Sequence, residues 1–354
     1  MDLRHAVGVA PRRKHFAPPA FSTARPGLVR PVTLDRSGVG GPTPRQARGR
    51  RWRRVAHGRY VPSWVDATDV DQRIVEAASV LPAHGAITGW AALRWSGVGW
   101  YDDATRPIPV VVPDHCLAPR AGLLISEEQL APKDLTVVEE LPCTTLPRAV
   151  CFEMRFAPDL RSAVRHLDLA AAADLVSIEE AWAYAMPYLC GWTGIDQCRR
   201  AIQLADENVW SPMETEMRLL WLIDLGMTRV RCNQPVFDLD GNFVGTPDLI
   251  DLEGGIAGEY DGALHLLRRR RDRDIAREAA FRRIGLEYVT MTAADRPDPT
   301  AFLQRTLDAR QRARRNPRRW TAEPPAWWVP TMTVAQRRAL TEEQRRRWLP
   351  GRAA

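Results

Sequence analysis

One stretch of this chain leaves its backbone little choice. In TPDLIDLEGGIAGEYDGALH, from Thr246 to His265, the runs Val244 to Leu252 and Gly258 to Asp261 read as two strands joined through Glu253-Gly254-Gly255. A Gly-Gly pair supplies the positive backbone angles of a tight turn without the steric penalty of a Cβ. Neighbouring strands lie about 4.8 Å apart, so acids on facing positions can share one hard cation. On such a hairpin Asp248 and Glu259 become the two carboxylates of a magnesium or manganese site.

The chain has 354 residues, more than one ordinary core organises, which predicts two or three domains; the helices and strands read below make the expected class multidomain α+β. No apolar run approaches the length of a membrane span, and the start (MDLRHAVGVAPRRKHFAPP) carries no secretion-type apolar stretch. A cytoplasmic protein with no membrane partner is expected. Six cysteines, Cys116, Cys143, Cys151, Cys190, Cys198 and Cys232, never form C-x-x-C and have no histidine at ligand spacing. Buried thiols are expected rather than zinc ligands or disulfides.

Charge is distributed unevenly around a net +7. Residues 1–60 carry 14 basic and 2 acidic side chains, residues 61–299 carry 23 and 37, and residues 300–354 carry 13 and 4. Basic ends around an acidic middle suit phosphate contact outside and metal-binding acids inside. A second reading stands beside it. Lysine occurs only at Lys14 and Lys133, and such an arginine bias also follows from GC-rich coding.

Residues 1–30, rich in Pro and Arg, are expected to be a disordered basic arm. Residues 31–66 suggest a winged-helix-like module. Thr43 caps a short helix with Pro44 at its first position, and Trp52 to Pro62 alternates as a hairpin turning at His57-Gly58. Arg45, Arg48, Arg53 and Arg54 of this basic helix and hairpin are the candidate DNA contacts. Residues 67–205 form a mixed α/β middle domain, with helices expected at Asp71 to Leu81 and from Thr88 to Trp95. Short strands follow at Pro107 to Pro113, Gly122 to Ile125 and Leu135 to Val138, and residues 144–205 return to helix. Trp90, Trp95 and Trp100 are expected to pack rather than stack on bases.

The span 206–315 opens with SPMETEMRLLWLIDLG, in which Ser211 caps, Pro212 starts and Glu214 completes a capping box before the apolar face of Met217, Leu220, Trp221 and Leu225. Strands at Val236 to Leu239 and in the hairpin, a basic helix at Leu266 to Ile284 and a strand at Glu287 to Met291 give the order α-β-β-β-α-β. On the basic helix Asp274 and Arg277 stand one turn apart, as in a helix salt bridge. Residues 316–354 are a basic tail with the stretch WTAEPPAWWVP and an amphipathic helix at Val334 to Leu349.

This order, with Ser-Pro-x-Glu-x-x-x-Arg (Ser211 to Arg218), Gln234-Pro235, Pro-Asp-Leu (Pro247 to Leu249), Glu-Tyr-Asp-Gly-x-x-His (Glu259 to His265) and Arg-Asp-x-x-Arg (Arg273 to Arg277), resembles the PD-(D/E)XK nuclease superfamily. The nearest branch is that of the very-short-patch-repair (Vsr) endonucleases. The resemblance implies a restriction-endonuclease-like α/β domain with a central mixed sheet, in which Asp248, Glu259 and the carbonyl of Tyr260 hold Mg2+ or Mn2+. Where the superfamily has lysine this chain has Asp261, so His265 is implied as the group that orients water; alternatively it only fixes Asp261. Glu214 is either a capping residue or an acid that approaches the metal. Arg268, Arg269, Arg270 and Arg271 are either a solvated face or a phosphate clamp. RRVAHGRYV (Arg53 to Val61) and GAITGWAALRWSGV (Gly85 to Val98) resemble AbiEi-like abortive-infection antitoxins. That implies an autoregulating DNA binder, with a toxin partner or a homodimer in prospect.

Overall fold

The computed structural model describes residues 20–22, 25–113, 117–262 and 268–349. It is an α+β structure with mixed sheets in two compact units, residues 1–87 with 102–143, and residues 88–101 with 144–354. The middle block expected over 67–205 is thus shared between the two. No helix among the described residues is long and apolar enough to cross a membrane.

In the first unit, strands β1 (Ala20–Ser22) and β2 (Arg25–Val29) pair antiparallel. Residues 25–29 therefore depart from the expected disordered arm, and residues 1–19 lie outside the described residues. The Gln72 side chain explains the order at this point. Its amide donates to the Val29 carbonyl and accepts from the Val29 N–H, both at 2.8 Å, which completes the backbone bonding of a strand end.

Helix α1 (Pro44–Ala47) starts from the expected Thr43 cap, and Gln46 closes a capping box on it. It is a single turn. Ahead of it Asp35 gathers the N–H groups of Ser37 at 2.9 Å and Gly40 at 2.8 Å, holding the Gly-rich segment as a loop; no helix precedes α1 among the described residues. The hairpin β3 (Trp52–Ala56) and β4 (Arg59–Pro62) turns at Gly58, whose φ of +68° is left-handed. Val55, Val61 and Val65 pack with Val29 beneath it. Helix α2 (Val70–Ala78) follows, then a mixed sheet ordered β7-β6-β5-β9-β8. Its strands are β5 (Ala86–Ile87), β6 (Ile108–Val111), β7 (Leu123–Ser126), β8 (Leu135–Val138) and β9 (Leu141–Thr144).

The second unit begins with helix α3 (Gly89–Trp95). Thr88 does not cap it; its hydroxyl bonds that of Thr144 at 3.0 Å. Helices α4 (Leu146–Phe156), α5 (Leu160–Ala172), α6 (Ile178–Tyr188) and α7 (Ile195–Leu204) form a block in which Trp90 and Trp95 are buried, while Trp100 is exposed. Cys143, Cys151, Cys198 and Cys232 are buried free thiols as expected, but Cys190 is exposed, and Cys116 is outside the described residues.

Helix α8 (Pro212–Leu219) passes into a π-helical turn, Leu220–Asp224, before Gly226 ends it. Then come β10 (Val230–Cys232), β11 (Val236–Asp238), β12 (Phe243–Gly245), β13 (Leu249–Asp251) and β14 (Ile256–Asp261). Helix α9 (Arg268–Arg283), β15 (Glu287–Thr292) and α10 (Thr300–Ala313) complete the core. The main sheet is ordered β10-β13-β14-β15, with β14 and β15 parallel and the other pairs antiparallel. The run Val244 to Leu252, expected as one strand, is divided at Pro247, which has no N–H to give a ladder.

One sheet face carries Leu249 and Ile256 against Trp221, Phe302 and Ala309, and the other carries Ile250 and Ala257 against Phe281. Gly258 lies against the π-helical turn that follows α8. A Cβ there would lie 2.8 Å from the Trp221 ring, and that ring is fully buried. Gly258→Ala is expected to cost about 1–3 kcal/mol through overpacking, read as a lower denaturant midpoint at unchanged slope.

The tail belongs to this unit. Strand β16 (Trp320–Thr321) pairs with β11, and helices α11 (Val334–Arg338) and α12 (Glu342–Trp348) replace the single helix expected over Val334 to Leu349. Arg337 is fully buried. It donates to the Asp174 carboxylate at 2.5 Å and to the carbonyls of Ala171, Glu207 and Thr331 at 2.8, 2.9 and 3.1 Å.

Candidate functional site

Strand register brings the two central acids together. Leu249 faces Gly258 across β13 and β14, so one further step along the ladder sets Asp248 opposite Glu259. Opposed Cα atoms in such a pair lie about 4.5–5.5 Å apart. Asp248 is half-buried and Glu259 buried, on the sheet face that α9 covers. The Asp248 carboxylate accepts from the Tyr260 N–H at 2.8 Å, and its backbone carbonyl accepts from the Asn233 N–H at 3.0 Å. Glu259 accepts from the Arg277 guanidinium at 2.8 Å.

Glu214 reaches the same end of the sheet from the first turn of α8. Ser211 caps as expected, its hydroxyl accepting from the Glu214 N–H at 3.2 Å. The return half of the capping box is absent. The Glu214 carboxylate instead accepts from the Trp210 N–H at 2.8 Å and from the Asn233 side-chain amide at 2.6 Å. Burial, followed by the negative charge of Asp248, pushes the Glu214 carboxyl up to about 8. Burial and the charge of Glu259 likewise raise the Tyr288 phenol. Both shifts owe most to burial, and the neighbouring carboxylates add to it.

These groups fit a hard divalent cation. Every donor is oxygen, the carboxylates stand on adjacent strands, and Glu259 already draws one positive group. Among the described residues no three His, Cys, Asp or Glu side chains form a cluster that could hold a metal. Two carboxylates suffice for magnesium, which keeps waters and takes phosphate oxygens as further ligands.

Asp261 is exposed on the same face of β14, level with Thr292 of β15. Tyr260 turns its ring to the opposite, Trp221 side. His265 lies outside the described residues, and Arg268, Arg269, Arg270 and Arg271 open α9. In the first unit Arg45, Arg48 and Arg54 are exposed. Arg53 is committed elsewhere: its guanidinium meets the Glu76 carboxylate twice, at 3.0 and 2.7 Å.

Three residues of the site escaped the sequence reading. Asn233, at a φ of +46°, bridges Glu214 and the backbone of Asp248; an asparagine just before Gln-Pro was the available signal, because asparagine tolerates the left-handed region. Arg277 meets Glu259; the side chain of Asp274, to which it was matched, lies outside the described residues. Tyr288 carried no signal beyond strand alternation.

Arg218, the arginine of the Ser-Pro-x-Glu-x-x-x-Arg motif, is structural. It is buried and donates to Asp168 at 2.7 Å. No protein-family model, curated protein or solved structure matches the chain.

Proposed function

We propose that this is a cytoplasmic DNA-binding protein whose C-terminal part is a Vsr-like, restriction-endonuclease-like domain hydrolysing DNA phosphodiester bonds with Mg2+ or Mn2+. The observation that supports it most is the register that sets Asp248 across from Glu259, with Glu214 arriving at the same end. Asp248, Glu259 and the Tyr260 carbonyl would hold the ion. When bound, such an ion lowers the pKa of a water and neutralises charge growing on the scissile phosphate.

The Tyr260 N–H bond holds the Asp248 carboxylate in place before any cation arrives. Asn233 does the same for Glu214. With Asp261 where the superfamily has lysine, the group that takes a proton from water falls to His265, by resemblance.

A second reading is favoured by Asp261 itself, which is exposed and repels rather than stabilises a hydroxide. In that reading the chain is an AbiEi-like regulator or antitoxin. A winged-helix-like N-terminal module uses Arg45, Arg48 and Arg54 on DNA, the nuclease fold binds without cutting, and a toxin or a second copy is the partner.

Cleavage of plasmid and oligonucleotide substrates in Mg2+ or Mn2+ separates the two. The nuclease reading expects cutting by the parent chain, lost in folded Asp248→Ala and Glu259→Ala variants. Retained, salt-sensitive binding with no cutting by the parent supports the regulator.

A further inference from the structure

Arg277 rises from α9 and donates to Glu259 at 2.8 Å, its side chain 35% exposed while that of Glu259 is 9% exposed. Its stem passes over β12: a Cβ at Gly245 would lie 3.7 Å from Arg277 Cγ. Three residues on from Gly245 the chain reaches Asp248. The guanidinium therefore spans from a buried carboxylate to solvent at the rim where Asp248 and Glu259 face each other.

Resting on the metal-site reading above, we propose that Arg277 is a positioning residue that competes with the divalent cation for Glu259 and, once displaced, holds a phosphate of the DNA. Arg277 bonds one oxygen of the Glu259 carboxylate, and a dication arriving on that carboxylate would stand beside the guanidinium and repel it. The Arg277 side chain is already about one-third exposed, and a phosphate offers the two-pronged acceptor its planar fork matches. The ion pair keeps Glu259 neutralised in the resting chain. Cation and DNA then bind with mutual support, since each provides the partner that the other's arrival removes.

The test measures binding, with no turnover. Mn2+ affinity is determined by calorimetry on the full chain, on Arg277→Met, which keeps the stem without the charge, and on Asp248→Asn. DNA affinity is measured against salt in Ca2+ and in EDTA. Arg277→Met is expected to tighten Mn2+ roughly fivefold and to reduce the salt slope of DNA binding by about one in Ca2+, leaving the slope in EDTA unchanged. Equal Mn2+ affinity in Arg277→Met and parent, with affinity lost in Asp248→Asn, overturns the role of Arg277 while the metal site stands. If Asp248→Asn binds Mn2+ as the parent does, or if the parent binds none, the metal-site reading fails and this proposal with it. An equal loss of slope in Ca2+ and EDTA also overturns it, because Arg277 would then contact DNA without being released.

Discussion

Asp168→Ala is expected to lower the stability of the second unit by about 3–5 kcal/mol, the usual cost of removing one partner from a buried ion pair. Asp168 is fully buried in α5, and three donors converge on its carboxylate: Arg218 at 2.7 Å, the Thr215 hydroxyl at 2.8 Å and the Asp206 N–H at 2.9 Å. Removing it leaves the Arg218 charge in the interior with the Leu204 carbonyl as its remaining bonded acceptor here. In a unit of this size the melting temperature should fall on the order of 10 °C. Arg218→Met added to Asp168→Leu should recover part of the loss, since an apolar pair of similar volume replaces a buried ion pair at little cost. Thr215 and the Asp206 N–H would still lack their acceptor, so recovery is incomplete. Additive effects in the double variant would show that the two side chains do not act as a pair. The candidate site is tied to this bond because Arg218 and Glu214 lie one turn apart on α8. What fixes the rotation of that helix also aims Glu214 at Asp248.

The elements legible in the sequence were those written in local chemistry. Ser211-Pro212 announces the start of α8, Thr43-Pro44 that of α1, and Gly254-Gly255 the turn between β13 and β14. Strand β10 was not legible, because Val230, Arg231 and Cys232 alternate over only three residues, too few for a period to register. The tail misled for a different reason. Its arginines read as part of a basic amphipathic helix, yet Arg337 is interior, made tolerable by one carboxylate and three carbonyls, all but that of Thr331 distant in sequence. Burial of a charge depends on partners, and partners that far away leave no periodic trace.

The candidate site divides along the same line. Asp248 and Glu259 could be paired from the hairpin alone, since antiparallel register follows once the turn is fixed. Arg277 could not. Its meeting with Glu259 follows from the packing of α9 over the sheet, which no local pattern in the helix records. Asn233 belongs to the tertiary level too. Its amide links the α8 acid to a strand carbonyl contact that exists only after both elements have docked.

Glu214→Gln is expected to make the protein more stable at alkaline pH and to flatten its stability profile. The Glu214 carboxyl ionises near 8 in the fold against an ordinary value of 4.5. Between those values the native chain keeps a proton that the unfolded chain has released, so stability falls as pH rises through that window and is unaffected below it. The shift corresponds to a loss on the order of 4 kcal/mol by its upper end. Glutamine cannot ionise, and its carbonyl oxygen can still accept from the Trp210 N–H and the Asn233 amide. Parent and variant should therefore melt together near pH 4.5, and the variant should melt higher by on the order of 10 °C at pH 8. The same electrostatics predict a metal effect of opposite preference. A dication beside Asp248 offsets the charge that opposes Glu214 ionisation, so Mn2+ at pH 8 should raise the melting temperature of the parent more than that of the variant. Parallel stability curves for the two proteins from pH 4.5 to 8 would mean that Glu214 ionises normally, and that neither burial nor the Asp248 charge holds its proton.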